Sequence, residues 1–142
     1  MFDLEDVEEE EDSEFYFEMA YCGRAHIKKK LKDYEGAIDD YTGAIKFEPH
    51  SYFGYSGRGS AKIEIKDYIG AITDCTKALK LYRQDASTFN NRGKAKIELN
   101  DYKGAIADLN KAIKLNPDLP EPYFNRGVAK IKSERKNPEI WI

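Results

Sequence analysis

Asp33-Tyr34-Glu35-Gly36-Ala37-Ile38 returns as Asp67-Tyr68-Ile69-Gly70-Ala71-Ile72 and again as Asp101-Tyr102-Lys103-Gly104-Ala105-Ile106, each time after 34 residues. A fixed period of that size marks a supersecondary unit that cannot bury its apolar face alone, so neighbouring units must stack into one continuous core. The flanking columns keep the same register. Tyr21, Tyr55, Phe89 and Tyr123 supply bulk. Small residues recur at Ala25, Gly59, Gly93 and Gly127, and at Ala37, Ala71 and Ala105 with Ala44, Ala78 and Ala112, where a missing side chain admits a neighbouring helix. Each unit reads as two helices, one through Tyr21 to Leu31 and one from about Glu35 to Phe47, with a break at Lys32-Asp33. Asp33, Asp67 and Asp101 are placed to cap the second helix, where a carboxylate meets unpaired N–H groups, and Pro49 and Pro117 stop it.

Aligned on the period, the units are 18–51, 52–85 and 86–119, without insertions, and a fourth begins at Pro120 and loses the pattern after Lys132. The predicted organisation is a repeat domain over 15–132, with a capping helix at 120–132 and a C-terminal tail at 133–142. Residues 1–14 read as an acidic disordered tail, because Glu8-Glu9-Glu10-Glu11-Asp12 repels itself and lacks apolar periodicity. That end distorts the overall balance. The formal net charge is -3, yet Met1 to Phe17 holds nine acidic residues and no basic one, so the remainder carries about +6.

The 142 residues, 41% hydrophobic and 13% aromatic, suffice for a core without disulfides, and the two cysteines point to a reducing compartment. No secretory signal or membrane-length apolar run is legible, so the expected location is cytoplasmic with no membrane partner.

These columns resemble the tetratricopeptide repeat family. Its aromatic, small-residue, tyrosine, alanine and proline signature maps onto Tyr55-x3-Gly59, Tyr68, Ala71 and Ala78, and in the next unit onto Phe89-x3-Gly93, Tyr102, Ala105, Ala112 and Pro117, with Arg83 standing where a proline belongs. The resemblance implies an all-α, right-handed α-solenoid of stacked helix-turn-helix repeats, a non-catalytic scaffold for protein binding. Its first helices line a concave groove for a peptide or partner helix. The groove positions it implies are Met19, Cys22, His26 and Lys29; Phe53, Ser56, Ser60 and Ile63; Asn90, Asn91, Lys94 and Ile97; and Phe124, Asn125, Val128 and Ile131. Asn90 with Asn91 is the expected grip on a peptide backbone. The family's clamp for a C-terminal carboxylate needs lysine, asparagine and arginine, but the matching positions hold Cys22, His26, Gly57, Ser87 and Asn91, or Ser56, Ser60, Asn91, Glu121 and Asn125 in the next frame. Only Asn91 fits, which disfavours a chaperone tail as ligand.

A second strict set is chemically unusual. Arg24, Arg58, Arg92 and Arg126 recur in register, as do Asp40, Asp74 and Asp108, and the expected reading is a ladder of buried ion pairs, since a buried guanidinium demands a partner. Lys28, Lys62, Lys96 and Lys130 read as stems over apolar surface with their ammonium groups in water. Single-stranded nucleic acid is the rival ligand class for such a basic body, and it is disfavoured because the aromatics are committed to packing. His26 and His50 lack metal-ligand spacing, Cys22 and Cys75 fall in packing columns, and the glycines form no phosphate loop, so no cofactor, metal or catalysis is expected. The unfinished fourth unit, with Ile140-Trp141-Ile142 beyond it, carries the alternative expectation of a homodimer through residues 120–142.

Overall fold

The computed structural model describes residues 4–136, with side chains from Phe15 onward and that of Ser13. Seven helices follow one another: α1 (Leu4–Lys30), α2 (Tyr34–Phe47), α3 (Tyr52–Glu64), α4 (Tyr68–Leu81), α5 (Ala86–Glu98), α6 (Tyr102–Leu115) and α7 (Pro120–Arg135). No strand occurs among the described residues. Each helix packs on the next, and α1, α3, α5 and α7 also touch in succession, whereas α2, α4 and α6 do not touch one another. The odd-numbered helices are therefore drawn together, so the array curves with them on the inner wall. It is an all-α helical-repeat solenoid.

The repeated phrase builds the turn. Lys32, Lys66 and Asn100 adopt φ of 63°, 65° and 63°, the left-handed conformation that ends a helix and reverses the chain. The aspartate that follows caps the next helix: Asp33, Asp67 and Asp101 accept from the backbone N–H of Gly36, Gly70 and Gly104 at 3.0 Å. The glycine lets the cap sit close, because a Cβ on Gly36 would lie 2.2 Å from the capping carboxylate of Asp33 and make it shift, and Gly70 and Gly104 are equally tight. Ala37, Ala71 and Ala105 then enter the core fully buried.

Two segments depart from expectation. The acidic stretch expected as a disordered tail is helical from Leu4, continuous with α1 through Lys30. Glutamate is a good helix former, and acidic side chains suit the positive end of the helix dipole, which outweighs their mutual repulsion. At the other end α7 runs to Arg135, three residues past the expected stop at 132. Pro138 and Ile140 to Ile142 lie outside the described residues.

The arginine ladder is present, with its burial distributed differently. Asp40, Asp74 and Asp108 are the buried members, accepting two bonds of 2.7–2.9 Å from Arg24, Arg58 and Arg92 of the same repeat. Arg58 and Arg92 keep about a fifth of their side-chain surface, but Arg24, in the first of the three repeats, is 61% exposed. The lysines are partners rather than solvated stems: Lys28, Lys62 and Lys96 reach the second oxygen of the same aspartates at 3.0, 2.9 and 2.9 Å. Each later arginine also donates backwards across the repeat boundary, Arg58 to Thr42, Arg92 to Thr76 and Arg126 to Asn110. Each guanidinium lies over an aromatic ring one turn earlier, at 5.4–5.6 Å from Tyr21, Tyr55, Phe89 and Tyr123. One side chain thus ties a helix to its own repeat and to the preceding one.

Candidate functional site

The inner wall opens into a depression of about 370 Å³ where α1 and α3 diverge over α2. It is lined by Met19, Cys22, Gly23, His26 and Lys29 from α1, Tyr41 from α2, and Phe53, Ser56 and Gly57 from α3. Tyr41 forms the floor. It is 4% exposed, and burial pushes its hydroxyl pKa up to about 12, with the nearby Cys22 adding to the shift. Gly57 keeps the depression open, because a Cβ there would meet the Tyr41 ring at 2.3 Å. Met19 and Phe53, 46% and 61% exposed, form apolar lips.

Two polar groups stand on the rim. Lys29 reaches across to the Ser60 hydroxyl at 3.4 Å, and burial among the flanking helices holds its pKa below the ordinary lysine value. His26 is exposed one turn away. Cys22 is half-buried, and burial foremost, with the charge of Glu18 adding to it, raises its thiol to about 11, so the protonated, non-nucleophilic form lines the pocket. Cys75, fully buried against Gly59, is raised to about 12 for the same first reason.

Met19, His26, Phe53 and Ser56 of the expected groove set, with Cys22 and Lys29, come together here. Other members do not. Asn90 is 2% exposed, and its side-chain oxygen accepts from Asn125 Nδ2 at 3.1 Å, so the two amides tie α5 to α7 and neither is free to grip a peptide backbone. Ile97, 4% exposed, belongs to the core with Ala105, Leu109 and Ala129, because its position faces the partner helix of its own repeat. Lys94 pairs with Glu121 at 3.3 Å, Ser56 bonds Thr88 at 3.0 Å, and Ile63 and Asn91 are half-buried. Phe124 is 72% exposed but lies on α7, away from the depression.

Tyr41 and Gly23 escaped the sequence reading, and Gly57 entered it only as a mismatch in the carboxylate clamp. A signal existed for Tyr41: its column continues as Cys75 and Leu109, so one large aromatic stands where smaller side chains follow. The basic columns of α3 and α5 are occupied by the aspartates of α4 and α6, which leaves Arg58, Arg92, Lys62 and Lys96 engaged rather than offered to phosphates. No described helix is long and apolar enough to cross a membrane.

Comparison with known proteins agrees with this architecture. A model of the tetratricopeptide repeat matches residues 20–51 and a model of the TPR repeat matches residues 93–133, together just over half of the chain. No curated protein matches the sequence. Among solved structures, the Arabidopsis OM64 TPR domain is 25% identical, with a TM-score of 0.81 over 84% of this chain and 98% of that one. The second TPR domain of the human RPAP3 protein, solved by NMR in complex with HSP70 peptide SGPTIEEVD, is also 25% identical, with a TM-score of 0.79 over 82% of this chain and 98% of that one. The first TPR domain of human RPAP3, at 23% identity, shares the fold, with a TM-score of 0.82 over 86% and 96% of the two chains.

Proposed function

The chain belongs to the tetratricopeptide repeat family and is a protein-interaction module; from that premise we propose that its inner groove captures a peptide by seating an apolar side chain in the depression over Tyr41. The observation that carries this reading is the composition of that depression. Met19, Cys22, Tyr41 and Phe53 supply an apolar, partly desolvated wall, and Gly57 leaves the floor uncovered. A pocket of about 370 Å³ has room for one large aliphatic or aromatic side chain, which gains about 1.5–3 kcal/mol on burial. Lys29 and His26 on the rim favour a neighbouring carboxylate in the same peptide, acting on the rate of encounter more than on selectivity.

The structural relative solved with the HSP70 peptide binds a chain ending in EEVD. In this chain the positions that match that clamp carry Cys22, His26, Gly57, Ser87 and Asn91, or Ser56, Ser60, Asn91, Glu121 and Asn125, so that Asn91 alone is of the matching type and no lysine or arginine stands beside it. The anchor is accordingly an internal apolar residue rather than a chain terminus. Selection of a random peptide-display library on the purified protein tests this. Selected peptides should share one large apolar residue, and Met19→Glu or Phe53→Glu, at exposed positions, should abolish their binding with unfolding unchanged. Enrichment of C-terminal acidic peptides, or binding indifferent to both substitutions, refutes the reading.

A further inference from the structure

In three repeats the first helix presents one constellation to the second: an aromatic ring, an arginine stacked over it, a small residue, and a lysine one turn on. In α5 these are Phe89, Arg92, Gly93 and Lys96, of which the last three meet α6. Arg92 and Lys96 hold Asp108, while a Cβ on Gly93 would lie 2.9 Å from Leu109. The receiving helix answers in a fixed pattern: Ala37-x2-Asp40-Tyr41, Ala71-x2-Asp74-Cys75 and Ala105-x2-Asp108-Leu109. A small residue lets the backbones approach, the aspartate enters between two cations, and the next residue covers the small position.

α7 repeats the constellation as Tyr123, Arg126, Gly127 and Lys130, and no such helix stands against it among the described residues. None of the described residues lies within 4 Å of a Cβ built on Gly127, in contrast to Gly59 and Gly93. Ile131, the counterpart of the 4% exposed Ile97, is 51% exposed, and Tyr123 is 43% exposed. Arg126 is oriented by its bond to Asn110 at 2.9 Å and its stacking on Tyr123, but no carboxylate pairs with Arg126 or Lys130 among the described residues.

We propose that this face of α7 is a docking site for an amphipathic helix of a partner protein that carries an aspartate three residues after an alanine and just before a large apolar residue. The chemistry follows from charge complementarity and from the three filled copies of the same site. Two adjacent cations on a partly apolar face favour a carboxylate that satisfies both at once. Bidentate arginine geometry then sets the direction of the incoming helix. The surface is distinct from the inner groove, so a groove peptide and this helix bind independently.

The direct probe is a labelled peptide with the sequence of residues 101–116, which is α6 with its capping aspartate and its final cap, titrated by fluorescence anisotropy into the full chain at low salt. Saturable binding is expected. It should weaken at least tenfold when the peptide carries Asp108→Asn, or the protein carries Arg126→Met with Lys130→Met. Gly127→Leu should abolish it with thermal unfolding no lower than the parent protein's, because that Cβ meets none of the described residues and helical glycine is itself costly. No saturation, or equal affinity for the aspartate and asparagine peptides, overturns the proposal. Binding that emerges only after removal of residues 137–142 also overturns it, by making the chain's own end the occupant. So does a concentration-dependent dimer lost in Gly127→Leu, which would make the occupant a second copy.

Discussion

Asp108→Ala should be among the most destabilising single substitutions in the protein, and the structure sets its size. The carboxylate is 5% exposed and accepts from Arg92 Nε at 2.9 Å, Arg92 Nη2 at 2.7 Å and Lys96 Nζ at 2.9 Å. Removing it leaves two cations, each keeping about a fifth of its side-chain surface, with no counter-charge. Breaking a buried pair from one side costs about 3–5 kcal/mol; because both cations retain a path to water, the loss belongs at the lower end, about 3 kcal/mol. Asp40→Ala should cost less, since its partner Arg24 is 61% exposed and needs no replacement for the lost anion. Urea unfolding followed by far-UV circular dichroism reads both midpoints. Replacing the whole triad, Arg92→Met with Lys96→Met and Asp108→Leu, should recover most of the loss, because an apolar set of similar volume removes the desolvation penalty with the attraction. An Asp108→Ala midpoint equal to the parent protein's, or an Asp40→Ala loss as large, would refute the account of the ladder.

Three further outcomes are expected. Gly23→Ala should stabilise the protein by up to about 1 kcal/mol, since the new methyl meets nothing within 4 Å and helical glycine is entropically costly; thermal unfolding measures it. Lys66→Gly should raise stability by about 1 kcal/mol by relieving a positive φ, provided the turn geometry persists, as the retained cap at Asp67 would show in amide exchange. Asp40 has its pKa held below the ordinary carboxylate range, first by the bond from Arg24 and then by Lys28. A folded pKa below the unfolded one contributes stability above the unfolded value that is lost as pH falls through the folded value, so this contribution should be constant at neutral pH and fade below about pH 4. Asp40→Asn should flatten that acid limb in urea midpoints measured from neutral pH downward.

The repeat, its turns and its helix pairing were legible because they rest on local chemistry repeated three times. Asp33, the small column through Gly59 and Gly93, and the arginine-aspartate pairing each announce themselves by register. What escaped depends on separations that cross units. Asn90 and Asn125 stand 35 residues apart, one repeat plus one position, so neither looks spoken for until the helices are stacked. Glu18 and Ser51, and Tyr52 and Asp85, bond in the same way 33 residues apart. Lys28, Lys62 and Lys96 were misread because a lysine four residues after an arginine looks redundant, whereas a buried carboxylate with two oxygens accepts from both. Register picked out Met19, His26, Phe53 and Ser56, which line one depression, but not the floor of that depression. Tyr41 lies on a second helix, and only its reach past Gly57 makes it part of the inner surface.

The most direct measurement of the central claim is a crystal structure of the protein with the tightest peptide selected from the display library. The expected result is a peptide along the inner wall, with one apolar side chain between Met19 and Phe53 in contact with the Tyr41 ring. A peptide seated on the outer helices, or held in the groove by its terminal carboxylate with the depression over Tyr41 empty, would contradict it.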